Sequence, residues 1–193
     1  MELTNDILVS NFTQYERSIQ AYIGQEEAES IIKAMGGSDA IMHATFYYTA
    51  DSGLAYDGAF IHNTLKIAAY AVKINEMLPK SKQVDKNSLL KACFISTISR
   101  PQIFEPNDST WEMANRGFLY KYSNLEGSLR MGERSILIAM NCGIKLTPTE
   151  FEAIRIMDLK EDDFMAKSHS SIMSMLIKHA YEIILTISRV DKK

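Results

Sequence analysis

The chain is poor in the residues that force turns and cross-links. Of its 193 residues, 9 are Gly and 4 are Pro, too few for the many turns of an all-β domain. It has 2 Cys, and both Cys93 and Cys142 stand inside apolar segments (KACFIS and AMNCGI), which excludes a disulfide framework and predicts small buried core residues. No apolar run approaches the ~20 residues that a bilayer span needs. The opening residues, MELTNDILVSNF, lack the basic and long apolar regions of a secretion signal. Positive charge is not in excess either: 21 Lys and Arg face 24 Asp and Glu, for a net charge of -3. That balance argues against a nucleic-acid coat or a polybasic membrane patch, but leaves room for a local basic pocket. Gly-rich phosphate loops, G-x-S-x-G elbows, CxxC pairs and H-E-x-x-H are all absent. The expectation is a cytoplasmic protein with no membrane and no nucleic-acid partner.

What is present is helical. Hydrophobic residues make up 46% of the chain and charged residues 23%, the composition of one globular domain with a substantial core. Ile7, Leu8, Phe12, Tyr15, Ile19 and Ile23 recur at three and four residues, predicting a helix from Thr4 to Ile23. A second runs from Glu26 to Met35 and stops at Gly36-Gly37, and Ser38 or Asp39 caps a third reaching Tyr48. After a loop over 49–57, a long helix from Gly58 to Leu78 is Ala-rich at its centre and ends at Pro79. Asp85 caps the next, Ser88 to Ile98, almost wholly apolar and broken by Arg100-Pro101. Trp111 and Met113, then Phe118, Tyr120 and Tyr122, alternate around an N-x-G turn, so a β-hairpin is predicted near 111–122. A helix follows from Leu125 to Asn141. Thr147, Pro148 and Glu150 form a capping box that opens a helix to Met157. The last runs from Ser168 to Ile187. The sum is an all-α bundle of about eight helices with one short hairpin.

Four of these segments carry a resemblance in order. DGAFIHNTLKIAAYAVKINEMLP is similar to a G-G-x-x-x-H-S-L-x-V-A opening helix. LLKACFISTISRPQIFEP follows as does L-x-x-A-x-L-H-D-I-x-K. LRMGERSILIAMNCGIKLTPTEFEAIRIMD is similar to G-H-G-E-x-S, a turn, and L-T-x-E-E-x-x-A-I-R-W-H-M. Together they resemble the HD-domain metal-dependent phosphohydrolases, of the small bacterial and phage type related to 5′-nucleotidases. The resemblance implies one HD-like domain over 1–193, with helices in 1–48 packing on a core over 49–188, and often a homodimer.

It also implies a divalent metal held by two or more His, a His-Asp pair and a distant Asp, whose activated water attacks a phosphate ester. Position by position, that set is lost. His62 keeps the first His position. The His-Asp pair falls on Ser96 and Thr97, two further His on Met131 and Met157, and the last Asp on Tyr181, or on Ala180 one register earlier. Uncharged replacements are self-consistent, since carboxylates buried without their cation are costly. The resemblance therefore implies a degenerate member: vestigial His62, Ser96 and Thr97, no metal, and no cofactor. A pseudoenzyme is expected that binds a nucleotide or phosphate ligand, or a protein partner, with Arg100, Arg130 and Arg155 as phosphate contacts. Arg100 stands where the family has a substrate-facing Lys, and Glu133 with Arg155 is expected as an interhelical ion pair. The alternative is an active phosphohydrolase with a relocated, weak divalent-metal site built from His62, His179 and Asp51 or Asp57. His43, His169 and His179 lack ligand spacing with one another, and Glu161-Asp162-Asp163 reads as a solvated loop.

Overall fold

Small side chains decide which helix lies at the centre. Ala59, Ala68 and Ala71 are buried along one helix, α4 (Ala59–Met77), so its neighbours approach its backbone closely. The structure, a computed structural model, describes residues 3–159 and 170–189; Ser168, His169 and the acidic run 161–163 lie outside them. Before α4 come α1 (Asn5–Tyr22), α2 (Gln25–Ala34) and α3 (Ser38–Met42). After it come α5 (Lys86–Ser96), α6 (Arg100–Ile103), β1 (Phe104–Pro106), α7 (Thr110–Arg116) and β2 (Tyr120–Tyr122). The chain then runs through α8 (Met131–Asn141), α9 (Pro148–Ile156) and α10 (Ile172–Ile187). Helix α4 packs on α5 and α10, and α9 fills the groove between α5, α10 and α8. Among the described residues no helix is long and apolar enough to cross a membrane.

Helix α5 shows why pattern follows position. It is wedged between α4 and α9, and Leu89, Leu90, Ala92, Cys93, Phe94, Ile95 and Ser96 are all buried, so it presents apolar residues nearly all round. Tyr15 of α1 is fully buried and meets Phe60 and Phe94 edge-on at 5.7 and 5.9 Å. Burying each such large apolar side chain contributes about 1.5–3 kcal/mol, more than helix propensity does.

Helix ends are fixed by the caps that the sequence implies. The Asp85 carboxylate accepts from the Ser88 backbone N–H at 2.8 Å. Thr147 and Glu150 close their capping box in both directions, at 3.2 and 2.8 Å. Glu150 does more than cap: it also accepts from the Ser88 hydroxyl at 2.8 Å and from Lys91 at 3.2 Å, joining the first turns of α5 and α9.

Other boundaries differ from the sequence reading. The antiparallel pair exists, but its strands are β1 and β2, with Phe104 opposite Tyr122 and Pro106 opposite Tyr120. The expected first strand around Trp111 and Met113 is instead helix α7. Ser109 accepts from the Glu112 N–H at 3.2 Å, and Gly117 ends the helix at a positive φ of 67°. These local caps outweigh the alternation of aromatics. Trp111 projects from α7 and is 62% exposed. Helix α3 stops at Met42 rather than Tyr48, with Gly37 rather than Ser38 or Asp39 in the capping position. Helix α8 begins at Met131, because Arg134 holds the preceding loop in place through the Glu126 and Gly127 carbonyls at 2.9 and 3.1 Å. Helix α10 is capped by Ser171, whose hydroxyl accepts from the Ser174 N–H.

The joint at Glu150 yields a test. Burial pushes this carboxyl up, but the donors Thr147, Ser88 and Lys91 outweigh burial and hold it below its ordinary value. A depressed folded pKa means that the stabilisation is present above the unfolded value of about 4.3 and is lost as pH falls through the folded one. Glu150→Gln is therefore expected to cost about 1–3 kcal/mol near neutral pH. In urea titrations followed by circular dichroism, that difference should shrink below about pH 4.

Candidate functional site

The positions that the resemblance assigns to a metal are filled by side chains that satisfy one another. Ser96 and Thr97 end α5 fully buried, and each hydroxyl donates back along the helix, Ser96 to the Cys93 carbonyl at 2.7 Å and Thr97 to that of Phe94 at 3.3 Å. Thr97 also shares a hydrogen bond of 3.0 Å with Thr64 of α4. Nearby, the Ser135 hydroxyl meets the Ser99 hydroxyl at 3.0 Å, and Ser99 donates to the Met131 carbonyl at 3.0 Å, tying the start of α8 to the end of α5. Met157 is buried in the core.

His62 lies in the first turn of α4, half-buried, with Nδ1 2.7 Å from the Tyr56 hydroxyl. Asn63 donates to that hydroxyl at 3.2 Å, so the Tyr56 phenol is shared between two neighbouring side chains of α4. Burial and the charge of Lys66 both lower the His62 pKa. Burial raises that of Tyr56. The relocated metal set is not brought together. Asp57 meets the His43 Nδ1 at 3.0 Å, His179 faces Glu182 at 3.4 Å, and Asp51 sits exposed in a short turn over 50–52. Among the described residues, no three His, Cys, Asp or Glu side chains form a group able to hold a metal ion.

Arg100 is the most deeply placed charge. Its side chain is fully buried, donating through Nη2 to the Tyr181 hydroxyl at 2.8 Å and through Nη1 to the Phe46 carbonyl. The guanidinium carbon stands 3.7 Å from the centre of the Phe46 ring and 5.4 Å from that of Tyr181. These partners are neutral, and Nε has no hydrogen-bond partner. Desolvated contacts with ring faces of about 2 kcal/mol each offset part of the cost of burying the charge. The sequence reading placed Arg100 against a ligand phosphate; the structure turns it inward, onto Tyr181.

An open cavity of about 520 Å³ lies at the N-terminus of α8, lined among others by Tyr122, Ser123, Arg130, Met131, Arg134 and Asp158. Of the three expected phosphate contacts, Arg130 lies on its rim, while Arg155 is exposed on α9 and is not among the lining residues. Glu133 does not pair with Arg155. Its carboxylate accepts from the Arg130 backbone N–H at 3.0 Å and closes the first turn of α8. Gly132 explains how this corner is built: a Cβ there would strike the Ile154 carbonyl and stand 3.2 Å from the Arg155 Cα, so the two helices meet backbone to backbone.

Arg134 and Asp158 escaped the sequence reading. Arg134 reaches the cavity only because residues 125–130 form a loop instead of a helix. Asp158 follows Met157 directly, and that adjacency to a replaced ligand position was the only signal for it. Burial pushes the Asp158 carboxyl up, against the backbone N–H groups of Asp158 and Gly132 and the charges of Arg100 and Arg130.

Two outcomes follow from this geometry. Gly132→Ala should force α8 from α9 and destabilise the protein by about 1–3 kcal/mol, measurable in urea. A lowered folded pKa for His62 means that the unfolded chain takes up the proton first. NMR titration should show its imidazole neutral at pH 7 and protonating below the ordinary ~6.5, with its share of stability lost as pH falls past that value.

Comparison of the chain with protein-family models, with curated proteins and with solved structures gives no match.

Proposed function

We propose that the chain is an HD-hydrolase-like scaffold kept for binding a phosphate-bearing ligand, a nucleotide or a simpler phosphate, without metal-dependent hydrolysis. The observation that carries this reading is Met131. It stands where the resemblance puts a metal-ligating histidine, and it lines an open cavity rimmed by Arg130 and Arg134. The place for a ligand is kept while the side chains for the chemistry are changed. A thioether offers a hard divalent ion nothing, and the hydroxyls of Ser96 and Thr97 are already engaged inside the protein. The buried Arg100 guanidinium supports the same reading. It holds Tyr181, another assigned ligand position, and its fixed positive charge opposes a divalent cation and favours an anion.

The test combines elemental analysis, calorimetry and turnover on the purified chain. The expected result is substoichiometric transition metal, binding of phosphate or nucleoside monophosphates, and no hydrolysis of phosphomonoesters. Arg130→Ala should weaken binding about tenfold, the effect of one charge-assisted contact. Stoichiometric Mn, Fe, Co, Ni or Zn, with turnover abolished by His62→Ala, would overturn the reading.

A further inference from the structure

Between the end of α4 and the first half of α10 the bundle leaves another hollow, of about 370 Å³. It shares no lining residue with the cavity at α8. Its walls are apolar: Ile74 and Leu78 at the end of α4, and Ile172, Met175 and Leu176 on α10. Ile172 is 39% exposed, so the hollow opens to solvent with apolar surface at its mouth. The backbone beside it has little to offer water. The Leu78 carbonyl accepts from the Gln83 side chain at 2.9 Å, and that of Pro79 from the Lys82 N–H at 2.7 Å. Water held against such walls is readily displaced by an apolar group.

One full charge is left free at the rim. Lys82 lines the hollow, is exposed, and makes no ion pair among the described residues. His179 also lines it, but turns Nδ1 to Glu182 at 3.4 Å, and Glu182 meets Lys178 at 3.1 Å, so that carboxylate is already answered. An apolar trough with an unanswered ammonium at its edge complements an alkyl chain that ends in an anion. We infer that this hollow binds the chain of a medium-length fatty carboxylate, with the carboxylate at Lys82. Taking ~30 Å³ per methylene, the share of one water in the liquid, it holds a chain of up to about twelve carbons. Such a ligand needs neither a metal nor the arginines at α8, so the inference stands apart from the phosphate reading.

Isothermal calorimetry with hexanoate, octanoate and decanoate is the experiment, each below its micelle concentration and fully ionised at about pH 7.5. 1-Octanol serves as the uncharged match. Each buried methylene should tighten binding about fourfold, and octanoate should bind about fivefold tighter than 1-octanol. Lys82→Gln, at an exposed position, should bring octanoate and 1-octanol together while leaving 1-octanol unchanged. Ile172→Trp should fill the mouth and weaken every ligand at least about tenfold. Affinity that does not grow with chain length overturns the inference, as does octanoate binding no tighter than 1-octanol. So does a preference for octanoate that survives Lys82→Gln, or a folded Ile172→Trp that binds octanoate as before. If Ile172→Trp does not fold, the Lys82→Gln comparison decides. No binding at all also overturns the inference, and a dimer in light scattering that Ile172→Asp separates would then give the groove to a second copy.

Discussion

A guanidinium does not give up water unless something in the interior answers its hydrogens and its charge. Arg100 finds a carbonyl, a hydroxyl and two ring faces, and these come from segments far apart in the chain. The stretch around Phe46, the short helix α6 and the last helix α10 are thereby held in one arrangement. A nonpolar residue of equal volume would pack there without fixing orientation. The guanidinium has direction, so Phe46 and Tyr181 have to meet it at set angles. Its charge also reaches outward. Tyr47, Tyr122 and Asp158 all feel it, which links the buried cation to the open cavity.

Around that anchor the helices are joined at their ends as much as along their faces. Glu150 couples the first turns of α5 and α9, and the serines at 99 and 135 couple the end of α5 to the start of α8. Gly132 removes the one side chain that would keep α8 from α9. The consequence is a corner where helix N-terminus, arginines and a carboxylate are crowded together, set by backbone contact and not by flexible side chains.

Much of this was legible in the sequence where a local rule had no competitor. Asp85, and Thr147 with Glu150, announced their helices because cap chemistry depends on residues three apart. The central helix was plain from its alanines. In the hairpin expected near 111–122 two local signals conflict, alternating aromatics and a Ser109 cap closed by Gly117; the caps win over the first half, while Tyr120–Tyr122 is a strand. The cavity was the least legible part. Arg130 was singled out, but Arg134 and Asp158 face it only through the loop at 125–130 and the close meeting of α8 with α9. Both are consequences of tertiary contact that no window of sequence contains. Arg100 was singled out for its charge, yet its inward direction depends on Phe46 and Tyr181, residues distant in the chain.

The single tryptophan illustrates how position governs what can be observed. Trp111 stands on a seven-residue helix and is 62% exposed, away from the packed interior of α4, α5 and α9. An indole this exposed is expected to emit as a solvated one already in the folded protein. A fluorescence trace would record whether α7 stays docked beside the small sheet, and would pass over the melting of the core in near silence. Tyrosine is the better native chromophore. Tyr15, Tyr47 and Tyr181 are spread from the first helix to the last, and the near-ultraviolet dichroism of such packed phenols reports on the interior that indole light misses.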